Sequence, residues 1–250
     1  MLGFESASVL ALITGAFLLA GFVKGAVGVG LPTISMGLLS LVMLPAQAAA
    51  LLFFPAFITN VWQLLSGPAL GRVLRRLWPM MVCVCLCTWV GFGAMVGDNP
   101  RIGAFALGLV IAVSSALTLA EIRFHVAPEN ERWMSPLMGA ITGFITGATG
   151  TFLFPSVPYM VSLDIPRDEL VQSLGLSALV SSFALGIALW LQGTLTTQVA
   201  GNSLYALVPA FLGMVIGTVV RKRVSERTFR RYFQVGMMLL GLYIAAKNWP

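Results

Sequence analysis

Lys24 is one of three lysines in the 250-residue chain, and the other two, Lys222 and Lys247, stand near the ends of apolar segments. Lys24 instead interrupts an apolar stretch and opens a glycine-rich one, Gly25-Ala26-Val27-Gly28-Val29-Gly30-Leu31-Pro32. An ionisable side chain in such a place is either a functional group or a cation that snorkels to an interface, and the sequence weighs the two evenly. Glycine reaches backbone angles that other residues avoid, and a helix starting just beyond it presents free N–H groups with a partial positive charge. Such a tip binds anions. Pro32 suits the first turn of that helix, where its missing N–H costs nothing. A second stretch, Gly147-Ala148-Thr149-Gly150-Thr151 followed by Pro155, adds hydroxyls to the same arrangement. The candidate substrate-binding residues of the two tips are Lys24, Gly25, Gly28, Gly30, Gly147, Thr149, Gly150 and Thr151, with Gly21, Pro32, Gly143 and Pro155 as hairpin hinges. The competing reading of each glycine is close packing of small residues between helices.

Two further polar groups stand in otherwise apolar segments. Asn60 and Gln63 flank Trp62, while Gln172 and Ser173 lead a series that continues through Ser177, Ser181 and Ser182. Amide and hydroxyl donors of this kind can complete an anion site; hydrogen bonding between helices without any ligand is the alternative. Asp98, Glu121, Asp164, Asp168 and Glu169 all fall at segment ends, so no deep carboxylate is expected, and an anionic or neutral substrate is favoured over a cation. The single histidine, His125, sits in a charged loop, and HExxH, paired intramembrane aspartates and a Walker A loop are missing, so no enzymatic activity and no cofactor are expected. Cys83, Cys85 and Cys87 share one apolar run without a histidine nearby and read as ordinary thiols rather than metal ligands.

The elements that must position these residues follow from composition. Charged residues make up 10% of the chain and hydrophobic ones 58%, with a mean hydropathy of +0.92. A water-exposed surface cannot be built from so few charges, so most of the surface must face lipid. Ten apolar segments stand out: 9–23, 32–43, 46–65, 78–96, 102–121, 136–145, 152–163, 170–191, 203–220 and 230–246. Helices are expected, because only helices and closed barrels satisfy their backbone in lipid and no alternating ten-residue strands occur. Counting the connections alternately places every basic residue except Arg101 and Lys247 on one side, which the positive-inside rule makes cytoplasmic, with both termini outside. The net charge of +6 therefore indicates membrane orientation rather than nucleic-acid binding. Residues 1–8 hold Glu5 and no basic residue, unlike a signal peptide, so the first segment is expected to remain in the mature protein.

An offset of 122 residues aligns Gly21-Phe22-Val23-Lys24-Gly25-Ala26-Val27-Gly28 with Gly143-Phe144-Ile145-Thr146-Gly147-Ala148-Thr149-Gly150, with five of eight positions identical. Pro32 and Pro155, and Pro45 and Pro166, keep the register within one residue. Five segments separate the copies, an odd number, so the two enter the membrane from opposite sides. The expected fold is an all-α integral membrane protein of about 8 to 10 transmembrane or re-entrant helices in two inverted-topology repeats. Residues 1–122 form the first repeat, 123–135 a cytoplasmic connection and 136–250 the second repeat. The short segments 9–23 and 136–145 reach only about 22 Å and about 15 Å, which would put both glycine tips inside the bilayer and bring them towards each other.

The chain resembles the TauE/SafE family of sulfite and organosulfonate exporters. The resemblance rests on residues 21–32, on Pro45-Ala46-Gln47-Ala48, on Asn60-Val61-Trp62-Gln63, and on the repeat from Gly139-Ala140-Ile141-Thr142-Gly143 to Pro155. It implies a multi-pass carrier of the inner (plasma) membrane that exports small sulfur-containing anions such as sulfite or sulfoacetate. Family members often carry a denser glycine run at both tips, where this chain has Leu31 and Thr151-Phe152. The expected partners are the anion and the bilayer, with homo-oligomerisation left open. A passive anion channel and a non-transporting assembly factor are the alternatives from other classes.

Overall fold

The computed structural model describes residues 7–97, 100–120, 125–220 and 226–249. Within them the chain is helical, with no strand among the described residues. The helices are α1 (Ala7–Val27), α2 (Leu31–Leu39), α3 (Pro45–Leu65), α4 (Leu70–Val96), α5 (Pro100–Leu119), α6 (Pro128–Thr149), α7 (Leu153–Ser162), α8 (Arg167–Leu191), α9 (Thr197–Val220) and α10 (Glu226–Lys247). Proline opens several of them: Pro32, Pro45 and Pro128 occupy first-turn positions of α2, α3 and α6, where a helix has no intrahelical use for the missing N–H. Among the described residues, six helices are long and apolar enough to cross a membrane: α1, α3, α4, α5, α8 and α9. The surface agrees, since Trp62, Trp78, Val90, Trp190 and Leu191 are all more than 60% exposed, an arrangement suited to lipid and not to water.

Two expected segments are longer than the sequence indicated. α1 runs four residues past Val23, making 21 residues or about 31 Å. α6 starts at Pro128 and makes 22 residues or about 33 Å, so neither Pro136 nor the glycines break it. Glu129 and Glu131 in its first turn favour the positive end of the helix. The half-length first arms are thereby corrected: each hairpin has one full-length arm and one short one. The short arms are α2, with 9 residues, and α7, with 10. Neither short arm reaches across a core of about 30 Å. Of the residues singled out above, Asp98, Glu121, Arg221, Lys222, Arg223 and Glu5 lie outside the described residues.

Extensive packing joins α1 to α9, α4 to α6, α3 to α8 and α5 to α10. The first helix of each half thus lies on the fourth helix of the other half, while third meets third and fifth meets fifth. Glycine makes the first two contacts close. A Cβ at Gly21 would overlap the carbonyl of Ala210, and one at Gly25 that of Met214; Gly213 and Gly217 meet Leu18 and Phe22 in return. On the other pair, Gly139, Gly143 and Gly147 face the backbone of Met80, Val84 and Thr88. Both sets rise together along their helices, so each pair is parallel, and backbone-to-backbone approach of this kind supplies the dispersion contact that holds helices together in lipid. By contrast, α3 and α8 cross antiparallel: Phe53 meets Gly186, and Gln63 meets Val171. Gly108 and Gly241 set α5 and α10 against each other, also antiparallel.

Candidate functional site

Lys24 sits in the last turn of α1, only 6% exposed. Its ammonium donates to Thr59 Oγ1 at 3.0 Å and to Asn60 Oδ1 at 2.6 Å, both on α3. The Thr59 hydroxyl donates to the carbonyl of Pro55, one turn back on α3, at 2.6 Å. Thr59 Oγ1 is thus held with lone pairs towards the lysine. Among the described residues no carboxylate pairs with Lys24. A buried charge without a counter-charge is costly, and neutral dipoles compensate it only in part. The surroundings therefore favour an anion nearby.

The Asn60 amide passes the polarity on, donating from Nδ2 to Ser182 Oγ of α8 at 3.4 Å. Ser182, its neighbour Ser181, Thr146 of α6 and Gly150 line a narrow cavity of about 20 Å³, roughly room for one water. Pro32 and apolar side chains of α3 and α8, Phe53 and Leu185 among them, complete the wall. Ser181 Oγ is buried with no hydrogen-bond partner, and Thr146 spends its proton on the carbonyl of Thr142 at 2.7 Å. The free donors at the cavity are therefore the serine hydroxyls. Asn60 and Ser182 are 122 residues apart, as are Thr59 and Ser181, and Lys24 and Thr146. Ser181 and Ser182 belong to the hydroxyl series that stood out in the sequence; Thr146 did not stand out, and its offset of 122 from Lys24 is the signal that could have found it.

A family model for the sulfite exporter TauE/SafE matches residues 13–244. The chain belongs to the TauE/SafE family. That makes it a multi-pass membrane transporter, of a family described by sulfite export. Comparison with curated proteins and with solved structures returns no match.

In this TauE/SafE chain the remaining sequence candidates divide into turn formers, packing contacts and ties. Gly28 and Gly30 at the first tip have φ of 90° and 113°, and Gly150 at the second has 74°, all left-handed conformations that a side chain would strain. Gly28 and Gly30 lie outside the cavity lining, whereas Gly150 is part of it. At the second tip Gly150 packs against Met36 in the middle of α2, and it shares the cavity wall with Pro32 of the first hairpin. Gly21, Gly25, Gly143 and Gly147 are occupied by helix packing. Thr149 and Thr151 bond each other across the turn at 3.2 Å, and Thr149 also donates to Ile145 O. Pro155 lies inside α7, one residue after the kink at Phe154.

Gln63 and Gln172 bond elsewhere. Gln63 Nε2 donates to the carbonyl of Val171 at 3.0 Å. Gln172 accepts from Ala69 N at 2.8 Å and donates to Leu64 O and Gly67 O at 2.7 and 3.0 Å, so it ties down the α3–α4 connection. Ser173 is away from Lys24, on a second and larger cleft.

Proposed function

We propose that the protein exports a small sulfur-containing anion, sulfite, sulfoacetate or a related organosulfonate, by alternating access around the cavity next to Lys24. The observation that carries this reading is the buried ammonium held by neutral groups only, with Asn60 and Ser182 leading from it to the cavity. A substrate oxyanion supplies the missing counter-charge, and the serine hydroxyls donate to it. At about 20 Å³ the cavity is too small for such an ion, so the site must open to load and close again, as a carrier does and a standing channel does not.

Two repeats, 1–122 and 136–250 joined by 123–135, give that motion its frame. The exchanged packing of α1 on α9 and α6 on α4, and the antiparallel pairing of α3 with α8 and α5 with α10, support inverted topology. In the inner membrane, with both termini outside, the inside-negative potential alone drives anion exit with about 2.3 kcal/mol per charge per 100 mV.

Efflux of sulfite and of sulfoacetate from proteoliposomes at a fixed potential tests the proposal, with Lys24→Met and empty vesicles as references. Saturable efflux with counterflow that is lost in the variant is expected. Efflux no greater than from empty vesicles would sink the reading, and single-channel currents would replace the carrier by a channel.

A further inference from the structure

A second cleft of about 300 Å³ lies between the start of α4 and the start of α8. Arg72, Arg75 and Arg76 line it on one side, Glu169 and Ser173 on the other. Arg76 is fixed, donating to both oxygens of Glu131 at 2.6 and 2.8 Å and to Leu163 O at 3.3 Å. Arg72 bridges to Glu169 at 2.6 Å from a side chain that is 74% exposed, a pairing that solvent weakens. Arg75 forms no hydrogen bond or ion pair among the described residues. The cleft thus holds one guanidinium with all its donors free and a second in a labile pair.

Ser173 begins a stripe. Ser177 and Ser181 follow it at four-residue steps, which puts all three on one face of α8. Each is no more than 1% exposed. Ser173 lines the arginine cleft and Ser181 the central cavity, about 12 Å apart along the helix. Ser177 lies between them, with its hydroxyl 2.9 Å from that of Ser156 on α7. Ser173 donates to Glu169 O at 2.7 Å, so among the described residues Ser181 is the member of the stripe left without a hydrogen-bond partner, and it is the one at the central cavity.

The equivalent positions in the other half keep one hydroxyl of the stripe, at Thr59, and no guanidinium. An offset of 122 takes Ser173, Ser177 and Ser181 back to Leu51, Pro55 and Thr59, and takes Arg72, Arg75 and Arg76 on to Thr194, Thr197 and Gln198. Among the described residues, the guanidinium cleft and the hydroxyl stripe meet at Ser173, near the start of α8.

We infer that the Arg72–Arg75–Arg76 cleft is the loading vestibule for a small oxyanion, and that the Ser173–Ser177–Ser181 stripe of α8 is its route to the central cavity. The inference rests on the transport reading and adds to it the side of loading and the residues that select charge. Guanidinium groups match the oxygens of sulfite or a sulfonate in pairs, and a positively lined cleft raises the local concentration of anions. The serine hydroxyls then replace water around the ion step by step.

Thiol labelling tests this without turnover, so it fails or succeeds independently of efflux. The full chain with Cys83, Cys85 and Cys87 changed to alanine carries Ser173→Cys or Ser177→Cys, each a one-atom change, and folding is checked by size-exclusion chromatography in detergent. The probes are two methanethiosulfonates of similar size, one bearing ethylsulfonate and one ethyltrimethylammonium. At both positions the anionic reagent is expected to react at least about tenfold faster than the cationic one. Adding Arg72→Gln with Arg75→Gln should bring the ratio close to one, and sulfite should slow labelling of Ser177→Cys. Equal rates, or a preference for the cationic reagent, would overturn the inference. So would a Ser177→Cys that stays unreactive while Ser173→Cys reacts, because the cleft would then be a blind surface pocket. Protection by phosphatidylglycerol but not by sulfite would assign the cleft to lipid headgroups and overturn it equally. In vesicles, Arg75→Gln alone should raise KM from the arginine side severalfold and leave the maximal rate unchanged.

Discussion

The first half of the molecule places Lys24, Thr59 and Asn60 where the second half places Thr146, Ser181 and Ser182. In one half an ammonium reaches across to the third helix and is bonded there; in the other a short hydroxyl stops at its own helix and a small cavity is left. The glycine contacts around these positions are alike in both halves: Gly21 and Gly25 of α1 meet α9 much as Gly143 and Gly147 of α6 meet α4. If the two halves are repeats, packing keeps the correspondence between them and chemistry breaks it. Under the proposed function, a single charge at one of two equivalent places suits an anion site, since two would bind too tightly for release and none would not discriminate.

The largest expected effect separates the halves most sharply. Lys24→Met should lower anion efflux on the order of 100-fold, about 3 kcal/mol, without lowering thermal stability, because an uncompensated charge leaves the interior. Thr146→Val at the equivalent position removes only a hydroxyl and should cost less than about fivefold, roughly 1 kcal/mol. Similar losses from both variants in the same vesicle assay would break the comparison.

The scaffold should behave in the opposite way. Gly21→Ala and Gly143→Ala each press a methyl into a neighbouring backbone, and each should lower stability by about 2 kcal/mol, seen as matched falls in Tm in detergent. A large difference between them would show that the two glycine contacts are not equivalent. Gln172→Leu strands Ala69 N–H and two carbonyls and should cost about 1.5 kcal/mol of stability while leaving KM for the anion unchanged. A raised KM with an unchanged Tm would return Gln172 to the binding site. The smallest effect belongs to Ser182→Ala, whose bond to Asn60 is long: efflux should fall about threefold.

Much of the architecture was legible in hydropathy alone, because a chain in lipid must alternate long apolar runs with turns. Each of the ten apolar segments corresponds to one of the described helices, in order. The limits of α6 were not legible. Pro136 and the glycine run from 147 read as its limits, and the backbone of α4 lying against Gly139, Gly143 and Gly147 shows why the helix continues to Thr149. Lys24 and Asn60 stood out as polar residues in apolar surroundings, and the structure brings them together. Gln172 stood out for the same reason and proved to be a backbone tie. A buried amide looks identical in sequence whether it serves a ligand or a neighbouring carbonyl, so only the positions of its partners distinguish the two.

The hydrogen bond between Asn60 and Ser182 has a mechanical consequence. It joins the same position of the two halves, on the third helices that cross each other. When two halves exchange shapes, a contact between equivalent points is a fulcrum: the levers on either side swing, and the point itself travels least. Lys24 is fastened to that fulcrum through Asn60. In the proposed cycle its charge would face first one side of the membrane and then the other while staying nearly in place, so that the barrier, not the binding group, would do the moving.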